Sequence, residues 1–220
     1  MTMISKTLLS LSIATSLILP LTTASADEEE NGGGHMVSVS ITNISPTSFT
    51  PPMVALCKRR MDPIATLGEP ASEALSATAE GGDTSGLQAI FTENNCGVGV
   101  HPGLVGPGET VTIDVPGRLN YRLHLASMLL PTNDGFIYSS GHRARYIKRH
   151  GLQLNAYDAG TEFNDELCAN IPGPVCQGSP FSAGRELNNF VRPHPGIQGF
   201  ADVSAAEYNW GDPVALIHIN

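Results

Sequence analysis

The feature that most constrains the fold is a set of segments in which apolar and polar residues alternate. In Met36–Ser45, the apolar residues Val37, Val39 and Ile41 alternate with serine and threonine. This period of two is typical of a strand that buries one face. Three further segments show a similar pattern: Thr110–Val115, Tyr121–Leu130 and Pro213–Ile219. Glycine and proline recur between the segments as turn residues, so the sequence predicts a mainly β protein built as an antiparallel β-sandwich.

Two segments have the spacing of short helices instead. Apolar residues at every fourth position predict a helix that starts near Ala71 and ends near Gly81. A second helix is predicted to start near Asp83 or Thr84 and to end before Asn94. We therefore expect one or two short helices beside the sheets.

The first 26 residues are predicted to be a secretory signal peptide. Lys6 precedes the apolar run Leu8–Leu19, and small residues lead to Ala26. The run is shorter than the roughly 20 apolar residues that a membrane span needs, so we expect an exported mature chain without a transmembrane segment, in the periplasm or outside the cell. Residues 27–36 are predicted to be a flexible acidic, glycine-rich leader, and residues 37–220 to be one domain.

The charge of the chain argues against one class of partner. The formal net charge is −9, and it becomes −10 without the predicted signal peptide, because Lys6 is the only charged residue in that segment. An acidic surface repels phosphate backbones. We therefore expect no nucleic acid partner.

All four cysteines follow the predicted signal peptide, so an oxidising compartment would favour disulfides. Cys168 and Cys176 bracket a loop rich in proline and glycine. We predict the pair Cys168–Cys176, with Cys57–Cys96 as the other pair. The alternative, a zinc site of four thiolates, lacks a C-x-x-C element and would suit a reducing compartment.

Two loops carry the candidate site. The stretch Ala156–Glu166 has four carboxylates, and the predicted turn Pro131–Gly135 contains Asp134. Loops at one end of a sandwich converge, and Ca²⁺ prefers oxygen ligands in irregular geometry. We predict Asp134, Asp158 and Glu162 as Ca²⁺ ligands, because carboxylates this close together would otherwise repel and at least one would titrate upward. The residues alone leave a second interpretation open, an acidic rim that points into solvent.

Several stretches, in this order, resemble one protein family. They are ITNISPTSFTPP, GEPASEALSATAEGGD, MLLPTNDGF, AYDAGTEFNDE and HPGIQGFADV followed by YNWGDPVALIHI. Together they resemble the spondin N-terminal domain family, in its bacterial exported branch. The resemblance implies a C2-like β-sandwich that holds Ca²⁺ at acidic loops, including Asp158–Glu162, where glutamate replaces the final aspartate of animal members. It also implies a non-catalytic binding module with an extracellular or envelope protein or glycan as partner, as in adhesion proteins, although the other modules of the animal proteins are missing.

Motifs for catalysis are absent from the sequence. It has no G-x-S-x-G, H-E-x-x-H or G-x-x-x-x-G-K-[ST] element. An exported hydrolase that uses two carboxylates remains the alternative to a binding module. Scattered histidine and methionine leave transition-metal binding as a third, weaker hypothesis.

Three other features have a structural and a functional interpretation. The basic run Gly141–His150 could bind an acidic glycan or a lipid, but we expect an exposed hairpin that offsets the acidic loops. His194 lies between two prolines and is interpreted as a structural residue. Trp210 is expected to anchor the last strand to the core.

Overall fold

The computed structural model describes residues 35–182 and 189–220. The predicted signal peptide and nearly all of the predicted leader lie outside the described residues. The strands of the described part are β1 (Met36–Asn43), β2 (Ser48–Phe49), β3 (Met53–Cys57), β4 (Gly97–Val100), β5 (Thr110–Pro116), β6 (Arg122–Leu130), β7 (Gly135–Arg143), β8 (Leu152–Leu154), β9 (Ala156–Asp158), β10 (Arg192–Pro193) and β11 (Ala215–Ile219).

The strands form two antiparallel sheets. The first sheet has the order β5-β1-β11-β8, and the second has the order β10-β9-β7-β6-β3-β4 with β2 paired to β6. One hydrophobic cluster draws side chains from both sheets. The predicted mainly β, antiparallel sandwich is confirmed.

The core between the sheets follows the alternation of the sequence. In β1, Val37, Val39 and Ile41 are buried in this core, while the intervening serines stay partly exposed. β1 lies between β5 and β11, so its backbone is paired on both sides. Each inward residue of this strand removes apolar surface from water, which is the main favourable term in folding.

The second sheet is buried on both faces at its inner strand β3. In β3, Val54 and Leu56 join the core between the sheets, whereas Met53 and Ala55 join a second cluster with residues of the two helices that follow. All five β3 residues are buried. The continuous apolar sequence MVALC reflects this double burial, as expected for a strand covered on both sides.

Those two helices are the predicted ones. Helix α1 spans Glu73–Gly81, with the Ser72 side chain accepting from the Leu75 N–H at 3.2 Å and Gly82 closing the helix at φ +70°. Helix α2 spans Ser85–Glu93. These caps explain why the ends of α1 lie close to the predicted ones. Serine accepts a free N–H at the start of a helix, and glycine tolerates the left-handed conformation at its end.

The expected hairpin in the basic run is wrong. Residues up to Arg143 complete β7, and Ala144–His150 form a further helix, α3. A fourth short helix, α4, spans Ala205–Tyr208. The described part of the chain therefore has four α-helices, where the sequence predicted one or two.

Two disulfides join the expected cysteines. Cys57 at the end of β3 is bonded to Cys96, which follows α2. Cys168 and Cys176 close a short loop at a single 3₁₀ turn. None of the helices in residues 35–182 and 189–220 is long and apolar enough to span a membrane.

Candidate functional site

Asp134 occupies the tight turn between β6 and β7 and is completely buried. Thr132 shapes this turn, since its hydroxyl donates to Leu129 O and accepts from Gly135 N. Asp134 Oδ2 accepts the N–H groups of Thr161 at 2.7 Å and Glu162 at 3.1 Å. Asp134 Oδ1 is buried and has no hydrogen-bond partner. These bonds connect the turn to the acidic loop, Ala156–Glu166, and leave the second carboxylate oxygen of Asp134 without a hydrogen-bond partner.

Asp158 ends β9 beside this turn and is also completely buried. It lies opposite Gly135 in the β7–β9 pairing. Its Oδ1 accepts from Gly160 N at 2.7 Å. Its Oδ2 accepts from Asn164 Nδ2 at 2.5 Å and forms an ion pair with Arg192 Nη2 at 3.0 Å. Asp158 is thus engaged by protein donors on both oxygens.

Burial and the neighbouring aspartate both perturb Asp134. Burial first, and then the nearby charge of Asp158, together raise the pKa of Asp134 to about 7. The hydrogen bonds from Thr161 and Glu162 act in the opposite direction. The loss of hydration outweighs these bonds, as expected for a carboxylate removed from water. Asp134 is therefore poised to be neutralised near neutral pH, by a proton or by a cation.

Glu162 is buried but has a different environment. Its Oε1 accepts from Ser182 N at 2.5 Å, and its Oε2 has no hydrogen-bond partner. Burial, with smaller contributions from the charges of Glu80 and Asp165, raises the pKa of Glu162 to about 7, although its hydrogen bonds with Ser182 act in the opposite direction. The Glu162 backbone contacts Asp134, while its carboxylate contacts Ser182, which lies outside the acidic stretch Ala156–Glu166.

The predicted ligand trio is therefore not assembled as one cluster. Within the described part of the chain, no group of three or more His, Cys, Asp or Glu side chains is placed to hold a metal ion. The structure brings Asp134 and Asp158 together, but it directs the carboxylate of Glu162 elsewhere. A cation at this site would need two carboxylates and other oxygen ligands.

The remaining acidic residues of the loop act as acceptors. Glu166 Oε1 and Oε2 accept from the N–H groups of Gln198 and Phe200, both at 2.6 Å. Asp165 accepts from Asn133 Nδ2 at 3.0 Å and from Asn170 Nδ2 at 2.6 Å. These carboxylates satisfy donors of loops that lack regular secondary structure. The acidic loop is thus not a solvated rim, which corrects the second interpretation of its sequence.

Sequence reasoning missed Asp165, Glu166 and Arg192. Glu166 and Arg192 have partners more than 30 positions away along the chain. Asp165 combines one such partner, Asn133, with the nearby Leu167 and Asn170, so local spacing does not reveal the network. The sequence signal that could have indicated this network is the density of carboxylates in Ala156–Glu166, which the structure shows to be part of a buried network of hydrogen bonds. His194 is buried, accepts from Gly196 N, and lies 5.0 Å from the Trp210 ring between ring centres.

The fold and the site define a mainly antiparallel β-sandwich with a buried carboxylate network at one end. No protein-family model matches the chain, and no curated protein is significantly similar to it.

Proposed function

We propose that this chain is a non-catalytic binding module that works outside the cytoplasm and binds Ca²⁺ between Asp134 and Asp158. The observation that carries the proposal is Asp134 Oδ1, a buried carboxylate oxygen that has no hydrogen-bond partner and belongs to a carboxylate beside Asp158. Ca²⁺ accepts carboxylates, backbone carbonyls and water as ligands. Asp134 and Asp158 would hold the ion, and other oxygens would complete its shell.

The ion would have a structural role. Asp134 joins the β6–β7 turn to the acidic loop, and Asp158 joins the same loop to Arg192 on β10. A cation would neutralise the two charges and hold these loops in one arrangement. Export is supported by the two disulfides, since such bonds persist in oxidising compartments. The resemblance to spondin N-terminal domains favours a surface protein or glycan as partner.

A calcium titration tests this proposal. The melting temperature of the purified protein is measured in EDTA and in millimolar Ca²⁺, with Mg²⁺ as a comparison. Ca²⁺ at about 100 times its Kd stabilises a protein by about 2.7 kcal/mol, so the melting temperature should rise. Asp134→Asn should abolish the rise. The matched control Asp114→Asn should retain it, because Asp114 is exposed and its side chain bonds, among the described residues, only to Ser38 Oγ. An equal melting temperature in Ca²⁺ and EDTA would count against the proposal.

One observation favours the enzyme alternative. A depression of about 390 Å³ is lined by Glu73, Glu80, Thr161, Phe181 and Ser182, and the buried Glu162 interacts with Glu80. A carboxylic acid with a pKa near 7 beside a second carboxylate is the pairing that glycoside hydrolysis uses. Hydrolysis of a glycoside panel by the wild type, lost in Glu162→Gln with the fold unchanged, would support this second candidate over the first.

A further inference from the structure

The positive charge of this acidic protein is concentrated in three short segments. Nine of the 12 lysines and arginines lie in residues 58–60, 118–122 and 143–149. They are Lys58, Arg59, Arg60, Arg118, Arg122, Arg143, Arg145, Lys148 and Arg149. The three segments are far apart along the chain, so the sequence alone does not show that they meet.

The strand pairing brings the three segments together. Cys57, which precedes the first segment, lies opposite Arg122 in the β3–β6 pairing. Arg122 lies opposite Arg143 in the β6–β7 pairing. The Arg145 N–H donates to Leu119 O at 2.7 Å, which fixes the start of α3 beside residues 118–122. We call this region, residues 58–60, 118–122 and 143–149, the basic end.

The basic end lies opposite the acidic loops. Both β6 and β7 have nine residues, and they connect Arg122 and Arg143 at one end to the turn with Asp134 at the other. At about 3.3 Å per residue, the two ends are roughly 30 Å apart. This exceeds the screening length of about 8 Å at physiological salt, so the acidic loops do not cancel the charge of the basic end.

The cations of the basic end are available to a ligand. Eight of the nine are exposed and Arg122 is half-buried. No ion pair joins any of the nine to a carboxylate within residues 35–182 and 189–220. Asp62 and Asp114 lie at the same end, and Asp114 is bonded to Ser38. The excess of positive charge is therefore not neutralised within the described structure.

A depression at this end combines the cations with other polar groups. It has a volume of about 610 Å³ and is lined by Arg60, Met61, Asp62, Pro63, Arg122 and Ser140, with Gly141. Arg122 Nη1 donates to Gly141 O at 2.7 Å, which orients the guanidinium. A guanidinium has five N–H donors, so Arg122 keeps further donors for a ligand. The volume lies within the range of about 300–1,000 Å³ of small-molecule sites.

We propose that this depression binds a uronic acid residue of an acidic polysaccharide. Arg60 and Arg122 suit the carboxylate of such a sugar, because guanidinium pairs with carboxylate through two parallel hydrogen bonds. Asp62 is an acceptor for sugar hydroxyl groups. A uronic acid presents both features, one anionic group and several hydroxyls.

The lining residues favour a sugar over the other polyanions. Single-stranded nucleic acid is held by aromatic side chains on which bases stack, and no aromatic residue lines the depression among the described residues. Membrane binding relies on apolar side chains that enter the lipid. Among the residues that line the depression, Met61 is the one long apolar side chain, which is too little for insertion into a bilayer. The negative charge of Asp62 also disfavours a dense row of phosphates.

The test uses an oligomer of galacturonic acid and isothermal titration calorimetry in EDTA. The chelator removes Ca²⁺ from both protein and ligand, so the outcome is independent of the cation site at the opposite end. The wild type should bind the acidic oligomer and not the neutral galactose oligomer, and binding should weaken with NaCl. Arg60→Gln should weaken binding at least 10-fold. Arg149→Gln, an equal charge change outside the depression, should weaken it less than 3-fold.

Three outcomes would overturn the proposal. If the wild type does not bind the galacturonic acid oligomer, the depression is not a uronic acid site. Equal losses in the Arg60 and Arg149 variants would show diffuse charge attraction without a role for the depression. Tighter binding to phosphatidylglycerol vesicles or to single-stranded DNA than to the galacturonic acid oligomer, in the same buffer, would assign the basic end to another ligand class. Both arginines are exposed, so unchanged circular dichroism melts should accompany the variants.

Discussion

Replacing Asp134 by asparagine removes one buried charge and keeps the shape of the side chain. The carboxamide oxygen can still accept from Thr161 N and Glu162 N, and its NH₂ group takes the position of Oδ1. Burial and the nearby Asp158 raise the pKa of Asp134 from 3.8 to about 7. The folded protein therefore keeps this proton over a range of pH in which the unfolded chain has already lost it.

The sign and size of the effect follow from linkage. A raised pKa in the folded state contributes stability that is present below pH 3.8 and is lost as the pH rises to about 7. A shift of about three units at 1.36 kcal/mol each gives an upper value of about 4 kcal/mol. Asparagine has no charge to gain, so the variant avoids this loss. In EDTA, Asp134→Asn should match the wild type near pH 4 and exceed its stability at pH 8 by up to about 4 kcal/mol.

Urea unfolding at pH 4 and pH 8 in EDTA measures this difference. Saturating Ca²⁺ at pH 8 should then stabilise the wild type and leave the variant unchanged. Asp114→Asn serves as the control for loss of one exposed carboxylate. If Asp134→Asn is less stable than the wild type at pH 8 in EDTA, the charge of Asp134 stabilises the fold and the reasoning from burial is refuted.

Two further predictions concern stability. The Cys57–Cys96 bond closes a span of 39 residues and the Cys168–Cys176 bond closes one of 8. Changing each pair to alanine should therefore lower the free energy of unfolding by about 4 and about 2.5 kcal/mol, because the reduced chain gains loop entropy. Urea unfolding that ranks the two pairs in the opposite order would contradict this. Burial lowers the pKa of His124 to about 4, so its contribution is present above pH 6.5 and lost as the pH falls through about 4. His124→Phe should therefore reduce the loss of stability between pH 7 and pH 4, and parallel pH profiles would exclude the effect.

The fold was predictable where the signal was local. Val37, Val39 and Ile41 alternate within one strand, and Ser72 and Gly82 mark the ends of α1 by their own conformational preferences. Helix α3 has such a signal only at its C-terminal end, where Gly151 follows at φ +69°. Its N-cap residue, Arg143, makes no side-chain capping bond, and only two of its seven residues are buried. Its position is set by contacts with β11 and β7, which the sequence of the segment does not reveal.

The site was predictable only in part. Loop convergence correctly placed Asp134 near Asp158, because Asp134 follows β6 and Asp158 ends β9, and the two strands end on the same side of the sheet. The Glu162 carboxylate is held by the Ser182 N–H, 20 positions away along the chain. The partner of Asp158, Arg192, is 34 positions away. Sequence spacing fixes which loops meet, whereas side-chain direction depends on contacts between distant segments.

At the proposed Ca²⁺ site, Arg192 and the ion would be alternative sources of positive charge for Asp158. Arg192 on β10 donates to Asp158 Oδ2 at 3.0 Å, and its side chain is 25% exposed. Arg192→Gln removes that charge and keeps a donor. In EDTA the variant should lose about 1.5–3 kcal/mol, the usual value of a hydrogen bond to a charged group.

Its affinity for Ca²⁺ should nevertheless rise, because the ion no longer competes with a guanidinium for Asp158. Ca²⁺ titrations of the melting temperature of both proteins give the comparison. Equal destabilisation without a gain in affinity would mean that the ion and Arg192 do not share Asp158. A fall in affinity would mean that Arg192 holds the loop in the conformation that the ion needs, and competition would then be the wrong description of this pair.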